Sequence, residues 1–449
     1  MNQGDAHDFE RITQWLETDL GGTVTHIERQ ARWRPAWWVD LERDGELLEL
    51  CVRGERLDSP SAFSLDHERT FQTLLSERGI RVARVHGRHD ADPTAYVMDR
   101  VPGRDNFEGV SEEERRSAME DYVDILLEMH QLDVTPFAEA GIVRATSPKQ
   151  SHLVGLQRFT ERAYRHEKKR PDAFLEFALA WLDRNVPDNP GREAPIVWDA
   201  GQFHQSDGRI AALLDLEFGH IGDPLADLAA LWVRNPFIPF GDVSALMRRY
   251  QDASGTPIDL AAVHWHYILW ALSNRLEFHA VLADPVPGTD YMLNLHWCVE
   301  SDLMALEGIA STVGVELGEV EEPRPRESGY GPAHRHLTRS LETQPIEDPV
   351  ERYRSRMSVR LVRHLERIDE IGAAVVEADL EDIHQLVGRR PLDWADGETQ
   401  LEQFVLSDAG RHDNQLIEVF HRRLHRARRL NGPSGSWITQ HRDIPQPSL

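Results

Sequence analysis

The chain has 449 residues, and its 76 acidic against 50 basic side chains give a formal net charge of -26. This balance argues against nucleic acid or an anionic membrane surface as the main partner, because both require clustered lysine and arginine. Cys51 and Cys298 are the only cysteines, which excludes a disulfide framework and a four-thiolate zinc site. We find no signal segment at the amino terminus and no run of about 18 apolar residues. A soluble cytoplasmic protein of two or three domains is expected.

The first hundred residues predict a small lobe that is rich in strands. Residues 8–20 have the pattern of a short amphipathic helix. The stretch "WWVDLERDGELLELCVRG" predicts two strands around Asp44-Gly45, a strong signal for a tight hairpin. A helix over 66–78 follows, and "RVARVHGRHDADPTAYVMDRV" adds two more strands. We therefore expect an amino-terminal β-rich lobe over residues 1–103.

The chain becomes helical from Ser111 onward. Ser111 and Glu114 have the spacing of a capping box. Four apolar side chains then follow at the spacing of one helix face, namely Tyr122, Ile125, Leu126 and Met129. Further helices are predicted over 151–185, 242–253, 259–283 and 288–312. Together they predict a helical lobe over residues 104–318.

The remainder of the chain divides into three predicted parts. Residues 319–348 are charged and rich in proline and glycine, which is typical of a linker. Residues 349–431 are predicted to form a carboxy-terminal helical domain, and 432–449 a flexible tail. The basic stretch "FHRRLHRARRL" in this domain predicts a solvated helix that docks on the acidic body, or a site for an anionic partner. Its helices could also bind a protein partner or mediate self-association.

Carboxylates concentrate in "IVWDAGQFHQSDGRIAALLDLEFGHIGDPLADLAAL", from 196 to 231. Asp199 and Asp215 each follow an apolar run that predicts a strand, so two neighbouring strand ends could carry one base and one ligand of Mg²⁺. The alternative is an acidic loop without function in an acidic protein. Asp223 precedes Pro224, which predicts a helix start. Asp227 then either complements the helix dipole or is buried and fixes a neighbouring loop.

Several stretches together resemble the aminoglycoside phosphotransferase and choline-kinase-like family. The most specific are "LLDLE" (213–217) and "GDPLADLA" (222–229), which resemble the family's "DWE" and "GDPxxDLA". "LELCVRG", "DHERTFQTLL", "AYVMDRVPGR" and "LLEMHQLD" resemble its phosphate-contacting strand, its helix with a paired glutamate, its hinge and a helix end. The resemblance covers residues 8–312. It implies an α+β, protein-kinase-like bilobal fold, with a small antiparallel β lobe, a larger mainly helical lobe and a helical extension beyond them.

The resemblance implies roles for individual residues. Asp215 matches the metal-binding aspartate, and Glu217 the glutamate of the same triplet, which we place with the metal ligands. Asp227 matches the structural aspartate, with Asp223 and His130 as further structural support. The implied nucleotide-binding residues are Arg53 with its partner Glu68, and Met98 and Val101 in the hinge that lies against adenine.

The chain also departs from the family pattern. The "HGD" motif is absent, and ungapped counting from Asp215 places the family's catalytic aspartate at Val197 and its asparagine at Gln202. Asp199 becomes the base if the loop has lost two residues, and Gln202 could still offer its amide oxygen to Mg²⁺. The stretch "RQARWRPAWWV" (29–39) has no glycine. Its Arg32 and Arg34 could replace a glycine-rich phosphate cradle, or its tryptophans, Trp33, Trp37 and Trp38, could fill the nucleotide pocket.

Three functions are compatible with these features. The resemblance implies a phosphotransferase that uses ATP or GTP with Mg²⁺ and phosphorylates a hydroxyl of a small molecule. The altered catalytic loop favours instead a catalytically impaired pseudokinase, which acts as a nucleotide-binding or scaffold module. An unrelated acidic hydrolase is the third reading. The acidic total favours a cationic acceptor, whereas the tryptophans favour an apolar one.

Overall fold

The computed structural model describes residues 3–32, 34–56, 61–432 and 446–449, with side chains from His7 onward. These form two compact units. The first comprises Met1–Arg158, Asp188–His266 and Asp443–Leu449, and the second Phe159–Pro187 and Tyr267–Arg442. Trp33 and most of the predicted tail, residues 433–445, lie outside the described residues.

Helices and strands follow one another along the chain as follows. The strands are β1 Thr23–Arg29, β2 Ala36–Arg43, β3 Glu46–Gly54, β4 Val85–His89, β5 Ala95–Asp99, β6 Ala194–Ile196, β7 Phe203–Ser206, β8 Arg209–Leu213 and β9 His220–Gly222. The helices are α1 Gln3–Asp19, α2 Leu65–Glu77, α3 Glu112–His130, α4 Thr135–Glu139, α5 Val154–Arg158, α6 Ala173–Arg184, α7 Leu225–Arg234, α8 Val243–Ser254, α9 Leu260–Ala283, α10 Tyr291–Val313, α11 Gly331–Glu342, α12 Pro349–Arg367, α13 Ala373–Val387, α14 Trp394–Asp408 and α15 Asp413–Asn431. A 3-10 segment, Pro148–Leu153, and two π-helical segments, Phe159–Arg165 and Ile368–Gly372, complete the helical structure.

An antiparallel sheet of five strands, in the order β1-β2-β3-β5-β4, forms the amino-terminal lobe. The predicted hairpin is confirmed between β2 and β3. Asp44 and Gly45 have φ values of 53° and 81°, the left-handed conformation that a two-residue hairpin turn requires. Apolar residues of α1 pack against one face of the sheet, so the lobe has its own core.

The tryptophans of this lobe do not share one environment. Trp37 is fully buried in the core that α1 and the sheet form. Trp38, on the opposite face of β2, is 42% exposed. Trp37 therefore stabilises the lobe and cannot fill a nucleotide pocket. The expectation that the tryptophans of "RQARWRPAWWV" fill this pocket does not hold for Trp37.

The helical part of the first unit begins with α3, where the predicted capping box is confirmed. The Ser111 hydroxyl accepts from the Glu114 amide, and the Glu114 carboxylate accepts from the Ser111 amide. Helix α7 begins at Leu225, directly after Asp223-Pro224, as predicted. The α+β architecture, an antiparallel lobe followed by a mainly helical chain that continues to Asn431, is confirmed.

The strands before Asp199 and Asp215 are not neighbours in one sheet, contrary to our expectation. β6 pairs with β9, whereas β8 pairs with β7. β6 ends at Ile196 because the next two amides, those of Val197 and Trp198, donate to the Asp227 carboxylate instead of to a neighbouring strand. The two aspartates are therefore brought together by loops.

The second unit is helical. Within it, α10 contacts α15, and α6 contacts α14. The segment 319–348, predicted to be a linker, contains α11, whose residues are all at least partly exposed. Among the described residues, no helix is both long and apolar enough to cross a membrane.

Candidate active site

Arg53 at the end of β3 connects two carboxylates. Its Nε atom lies 2.7 Å from Oε1 of Glu68 on α2, and its Nη2 atom pairs with Oδ1 of Asp215. Burial lowers the pKa of Arg53, but the charges of Glu68 and Asp215 raise it by more than burial lowers it. The pKa of Arg53 therefore lies well above its usual value. Arg53 is thus a buried, permanently charged group directed at Asp215, with Glu68 as its second partner.

Arg34 lies deeper than we expected for a phosphate ligand. Its side chain is 3% exposed and donates to the Gly54 carbonyl at 3.0 Å, to Glu68 at 2.9 Å and to Glu217 at 2.8 Å. Arg56 donates to the other oxygen of Glu217 at 2.7 Å. Both Glu217 oxygens therefore bind arginines, and Arg34 ties α2 to the loop after β8. This geometry favours structural roles for Arg34 and Glu217.

Asp215 is the most accessible carboxylate of the cluster. Its side chain is 24% exposed, compared with 2% for Glu68 and 9% each for Glu217 and Asp199. Its φ is 55°, a left-handed conformation that turns the chain directly after β8. Partial burial raises the pKa of Asp215, but the positive charges of Arg53, Arg32 and Arg34 outweigh it and hold the pKa well below the usual value.

Asp199 is buried and paired with the last residue of α7. Arg234 donates to Oδ1 of Asp199 from Nε at 2.8 Å and from Nη2 at 2.5 Å, and Gln202 donates to Oδ2 at 2.6 Å. Burial raises the pKa of Asp199, Arg234 lowers it, and the negative charge of Asp215 raises it again, so it lies above its usual value. Gln202 thus contacts Asp199 through its amide nitrogen, and a metal contact through its amide oxygen stays a prediction.

The two acidic loops are also joined through the backbone. The Gln202 carbonyl accepts from the amide of Leu214 at 3.0 Å, one residue before Asp215. The charge of Asp215 contributes to the pKa of Asp199. The structure therefore joins the loops that carry these two predicted residues.

Asp227 is fully buried and holds the loop before Asp199. Its Oδ2 atom accepts from the Val197 amide at 3.2 Å and its Oδ1 atom from the Trp198 amide at 2.7 Å. His130 Nε2 lies 3.0 Å from Oδ2 of Asp227, and His130 Nδ1 lies 2.8 Å from the Tyr250 hydroxyl. Because two successive amides are held in this way, the next side chain in the sequence, Asp199, has a defined position. Support of the catalytic loop by Asp227 and His130 stays a prediction.

Asp223 belongs to a different set of contacts. Its carboxylate accepts from the Leu225 amide at 3.0 Å, from Arg192 Nε at 3.1 Å and from Asn189 at 3.2 Å. It therefore fixes the start of α7 and does not contact Asp199 or Asp215.

The predicted hinge residues lie at the end of β5 and just beyond it. Met98 pairs with Cys51 of β3, and its sulfur accepts from Gln72 at 3.2 Å. The carbonyl of Val101 lies 2.8 Å from Nδ1 of His204. A nucleobase that uses the Val101 carbonyl would therefore share it with His204.

Two site arginines were missed by the sequence analysis. Arg56 follows Arg53 by three residues and has no motif of its own. Arg234 could have been found from its spacing, because it follows Asp227 by seven residues, which is about two helical turns, and so shares its helix face. Arg32, which was predicted, is exposed, and its charge lowers the pKa of Asp215.

A magnesium ion fits the cluster only together with oxygens that the chain does not supply. Within the described residues, no three His, Cys, Asp or Glu side chains could hold a metal ion. Mg²⁺ in phosphoryl-transfer sites often takes one or two carboxylates and completes its shell with phosphate and water oxygens. The accessible Asp215 meets that requirement.

Comparison with known proteins identifies the family. A profile of the phosphotransferase enzyme family (APH) matches residues 25–266, which is more than half of the 449 residues. The chain is similar to acyl-CoA dehydrogenase family member 11 of Rattus norvegicus, with 26% identity over 267 residues, 53% of this chain and 31% of that protein. For the protein of the same name from Pongo abelii, identity is 29% over 177 residues, 36% of this chain and 21% of that protein. The chain thus spans a third or less of these relatives.

A solved structure supports the same conclusion at the level of the fold. It is a thermostable mutant of aminoglycoside phosphotransferase APH(4)-Ia in ternary complex with ADP and hygromycin B. The TM-score is 0.50 at 14% sequence identity, and the match covers 68% of this chain and 99% of that one. The chain therefore belongs to the phosphotransferase enzyme family and has its protein-kinase-like fold.

Proposed function

We propose that the protein transfers the γ-phosphoryl group of ATP or GTP to a hydroxyl group of a small molecule. The observation that carries the proposal is that Arg53 pairs with Asp215, whose loop is hydrogen-bonded to the loop of Asp199. The ADP and hygromycin B bound by the aminoglycoside phosphotransferase of similar fold support a nucleotide donor and a small-molecule acceptor. We do not infer a dehydrogenase activity from the names of the relatives, because the chain matches at most 31% of the length of those proteins.

Asp215 would hold the metal ion on the nucleotide, because it is the accessible carboxylate of the cluster. A bound Mg²⁺ would neutralise charge on the phosphate oxygens. Glu217 is left out of this role, since Arg34 and Arg56 occupy both its oxygens. Gln202 donates its amide nitrogen to Asp199, so only its amide oxygen could join the metal ion.

Arg53 would exchange one partner when a nucleotide binds. Its Nη2 atom would leave Asp215 for a phosphate oxygen, while Nε keeps its contact with Glu68. The exchange frees an oxygen of Asp215 at the same time, so that the arginine and the carboxylate each gain a partner of opposite charge. Guanidinium groups match phosphate oxygens well, and Arg53 stays charged because its pKa is raised.

Asp199 would act as the base. The acceptor O–H bond breaks, the proton passes to the Asp199 carboxylate, and the acceptor oxygen bonds to the γ-phosphorus. The bond from that phosphorus to the β–γ bridging oxygen breaks, and the nucleoside diphosphate leaves with its electron pair. Positioning and charge neutralisation supply most of the catalysis in such reactions. A raised pKa improves a carboxylate as a base, and burial has this effect on Asp199.

A second candidate is a pseudokinase that binds nucleotide or a partner without turnover. It is favoured by the pairing of every carboxylate in the cluster with an arginine. Mg·ATP must displace the contact between Arg53 and Asp215, and no glycine lies in residues 29–39 to ease the approach of phosphate. In this case the helices after 349 would form the interaction surface.

One pair of measurements distinguishes these functions. The thermal stability of the full chain is measured with Mg·ATP, Mg·GTP and Mg²⁺ alone, and release of diphosphate is then followed with a panel of hydroxyl-containing metabolites. A nucleotide at about a hundred times its Kd stabilises the fold by about 2.7 kcal/mol. Stabilisation with turnover supports the transferase, and stabilisation without turnover supports the pseudokinase. No stabilisation by either nucleotide contradicts both nucleotide-binding proposals.

The role of Asp199 is tested by Asp199→Asn, with the exposed Asp207→Asn as the matched control. We expect Asp199→Asn to lower turnover by about a hundredfold to ten-thousandfold, which is the usual contribution of a positioned base. Stabilisation by Mg·ATP should persist, because Asp215 and Arg53 are unchanged. Turnover at the level of the Asp207→Asn control would show that another group is the base.

A further inference from the structure

Helix α7 contacts the Asp199 loop at two points on one face. Asp227 and Arg234 are seven residues apart, which is about two turns of helix. Asp227 accepts from the amides of Val197 and Trp198, and Arg234 binds the side chain of the next residue, Asp199. A negative and a positive side chain of a single helix thus hold the backbone and the carboxylate of the same short loop.

Gly201 provides the space through which Arg234 reaches Asp199. Its φ is +98°, and a Cβ atom at this position would lie 3.0 Å from Cδ of Arg234 and 2.9 Å from Cζ of Phe240. The Gly201 amide donates to the Tyr122 hydroxyl at 2.6 Å, which fixes the backbone here. The stem of Arg234 is therefore enclosed by the loop that carries its partner.

The contacts leave a defined part of Asp199 available. An ionised carboxylate has about four lone-pair positions, two on each oxygen. Arg234 occupies both positions on Oδ1, and Gln202 occupies one on Oδ2. Among the described residues, no further hydrogen bond reaches Oδ2, so one acceptor position on this atom remains.

We propose that Arg234 is a positioning residue that fixes the Asp199 carboxylate and presents the remaining position of Oδ2 to the acceptor hydroxyl. This inference rests on the proposed function, because the base role of Asp199 belongs to that function. Arginine suits the task, since it stays charged in a buried site and two of its nitrogens hold Oδ1 while Gln202 holds Oδ2. A buried carboxylate that loses its partner is strongly destabilising, whereas loss of both partners costs much less.

The pairing is tested by the thermal stability of four proteins: wild type, Arg234→Met, Asp199→Asn and the double variant. Arg234→Met keeps an apolar stem but leaves Asp199 without its counter-charge. We expect its Tm to fall by about 6 °C or more. Adding Asp199→Asn should recover at least half of that loss, because the double variant no longer buries an unpaired charge. Arg116→Met, an exposed arginine of α3, is the control for loss of an arginine as such.

The positioning role is tested by kinetics with Arg234→Met and Arg234→Lys. We expect Arg234→Met to lower kcat by about a hundredfold, because the base is no longer fixed. The KM for Mg·ATP should change by less than about twofold, because Arg234 is not among the residues that we propose to contact the nucleotide. Arg234→Lys should recover part of kcat, since its charge is kept and its fork is lost.

The outcomes separate the energetic pairing of Arg234 with Asp199, the positioning role of Arg234 and the proposed function. If Asp199→Asn does not recover the stability of Arg234→Met, the two side chains are not an energetic pair and the inference is wrong. If Asp199→Asn recovers the stability and the wild type turns over nucleotide, an unchanged kcat in Arg234→Met rejects the positioning role. If the stability is recovered but the wild type shows no turnover, the pairing stands and the proposed function fails.

Discussion

Asp199 and Asp215 each pair with an arginine, but their pKa values move in opposite directions. Asp215 is partly exposed and lies within the field of four arginines, so its pKa is far below the usual value. Asp199 is buried, has one arginine, and also experiences the charge of Asp215, so its pKa is raised. Pairing with arginine alone therefore does not set the pKa, since burial and the other charges decide its direction.

The difference matches two chemical tasks. A carboxylate with a low pKa stays ionised and suits a metal ligand, whereas a raised pKa suits a base. If the proposed function is correct, one site contains both because one loop faces the arginine cluster and the other is enclosed by α7.

The largest effect is expected from Asp215→Asn. Turnover should fall by about a thousandfold or more, because the several kcal/mol of charge stabilisation from a bound metal ion is lost. Stabilisation by Mg·ATP should also fall, in contrast to Asp199→Asn, which keeps it. Thermal shifts and diphosphate release measure the two quantities, and Asp207→Asn is the control. Equal stabilisation of Asp215→Asn and wild type by Mg·ATP would contradict the metal-ligand assignment.

Asp227→Ala should loosen the Asp199 loop and leave the Asp215 loop in place. The Val197 and Trp198 amides would be buried without a partner, at about 1–3 kcal/mol for each group. We expect a loss of about 2–6 kcal/mol in the free energy of unfolding, measured by denaturant titration. Asp227→Asn keeps the shape and should lose less. A loss below about 1 kcal/mol in Asp227→Ala would indicate that the two amides find other partners.

A further buried aspartate, Asp302 in the second unit, sharpens the comparison. Its nearest arginine nitrogen, Nη1 of Arg275, lies 3.7 Å away, and neither carboxylate oxygen accepts a hydrogen bond from a described residue. Burial raises its pKa to about 7, more than Arg275 lowers it. The folded state therefore holds a proton that the unfolded state has already lost between about pH 4 and pH 7.

The consequence is a measurable dependence of stability on pH. The contribution of Asp302 to stability is complete below about pH 4 and is lost as pH rises to about 7, at about 1.4 kcal/mol per pH unit. Asp302→Asn should lack this loss, so the difference in unfolding free energy between the two proteins should change with that slope. Parallel stability curves for wild type and Asp302→Asn would show that Asp302 does not titrate in this range.

The smallest effect is expected at an exposed pair of the same chemistry. Arg144 binds Glu193 through two nitrogens, as Arg234 binds Asp199, but its side chain is 36% exposed. Solvent screens such pairs, so Arg144→Ala should cost less than about 1 kcal/mol, and the cost should shrink with added salt. Denaturant titration at two salt concentrations measures this. A cost as large as that of Arg234→Met would mean that burial does not explain the strength of the Asp199 pair.

The sequence by itself determined features that depend on a few neighbouring residues. Asp44-Gly45 predicted its hairpin, Ser111 and Glu114 their capping box, and Asp223-Pro224 the start of α7. These predictions were correct because a turn or a cap is stabilised by side chains that lie within about four residues of the backbone groups they contact. The motifs "LLDLE" and "GDPLADLA" identified the family in the same way, as short local patterns.

The partners of the site residues were decided only by the tertiary structure. Arg34 binds Glu217, 183 residues away, and Arg234 binds Asp199, 35 residues away. From the sequence alone, Arg34 was as compatible with binding a phosphate as with binding a carboxylate, because a guanidinium group matches both. Which of the two it meets depends on how deeply packing buries it, and the burial of a side chain is a property of the whole fold and not of its neighbours in the chain.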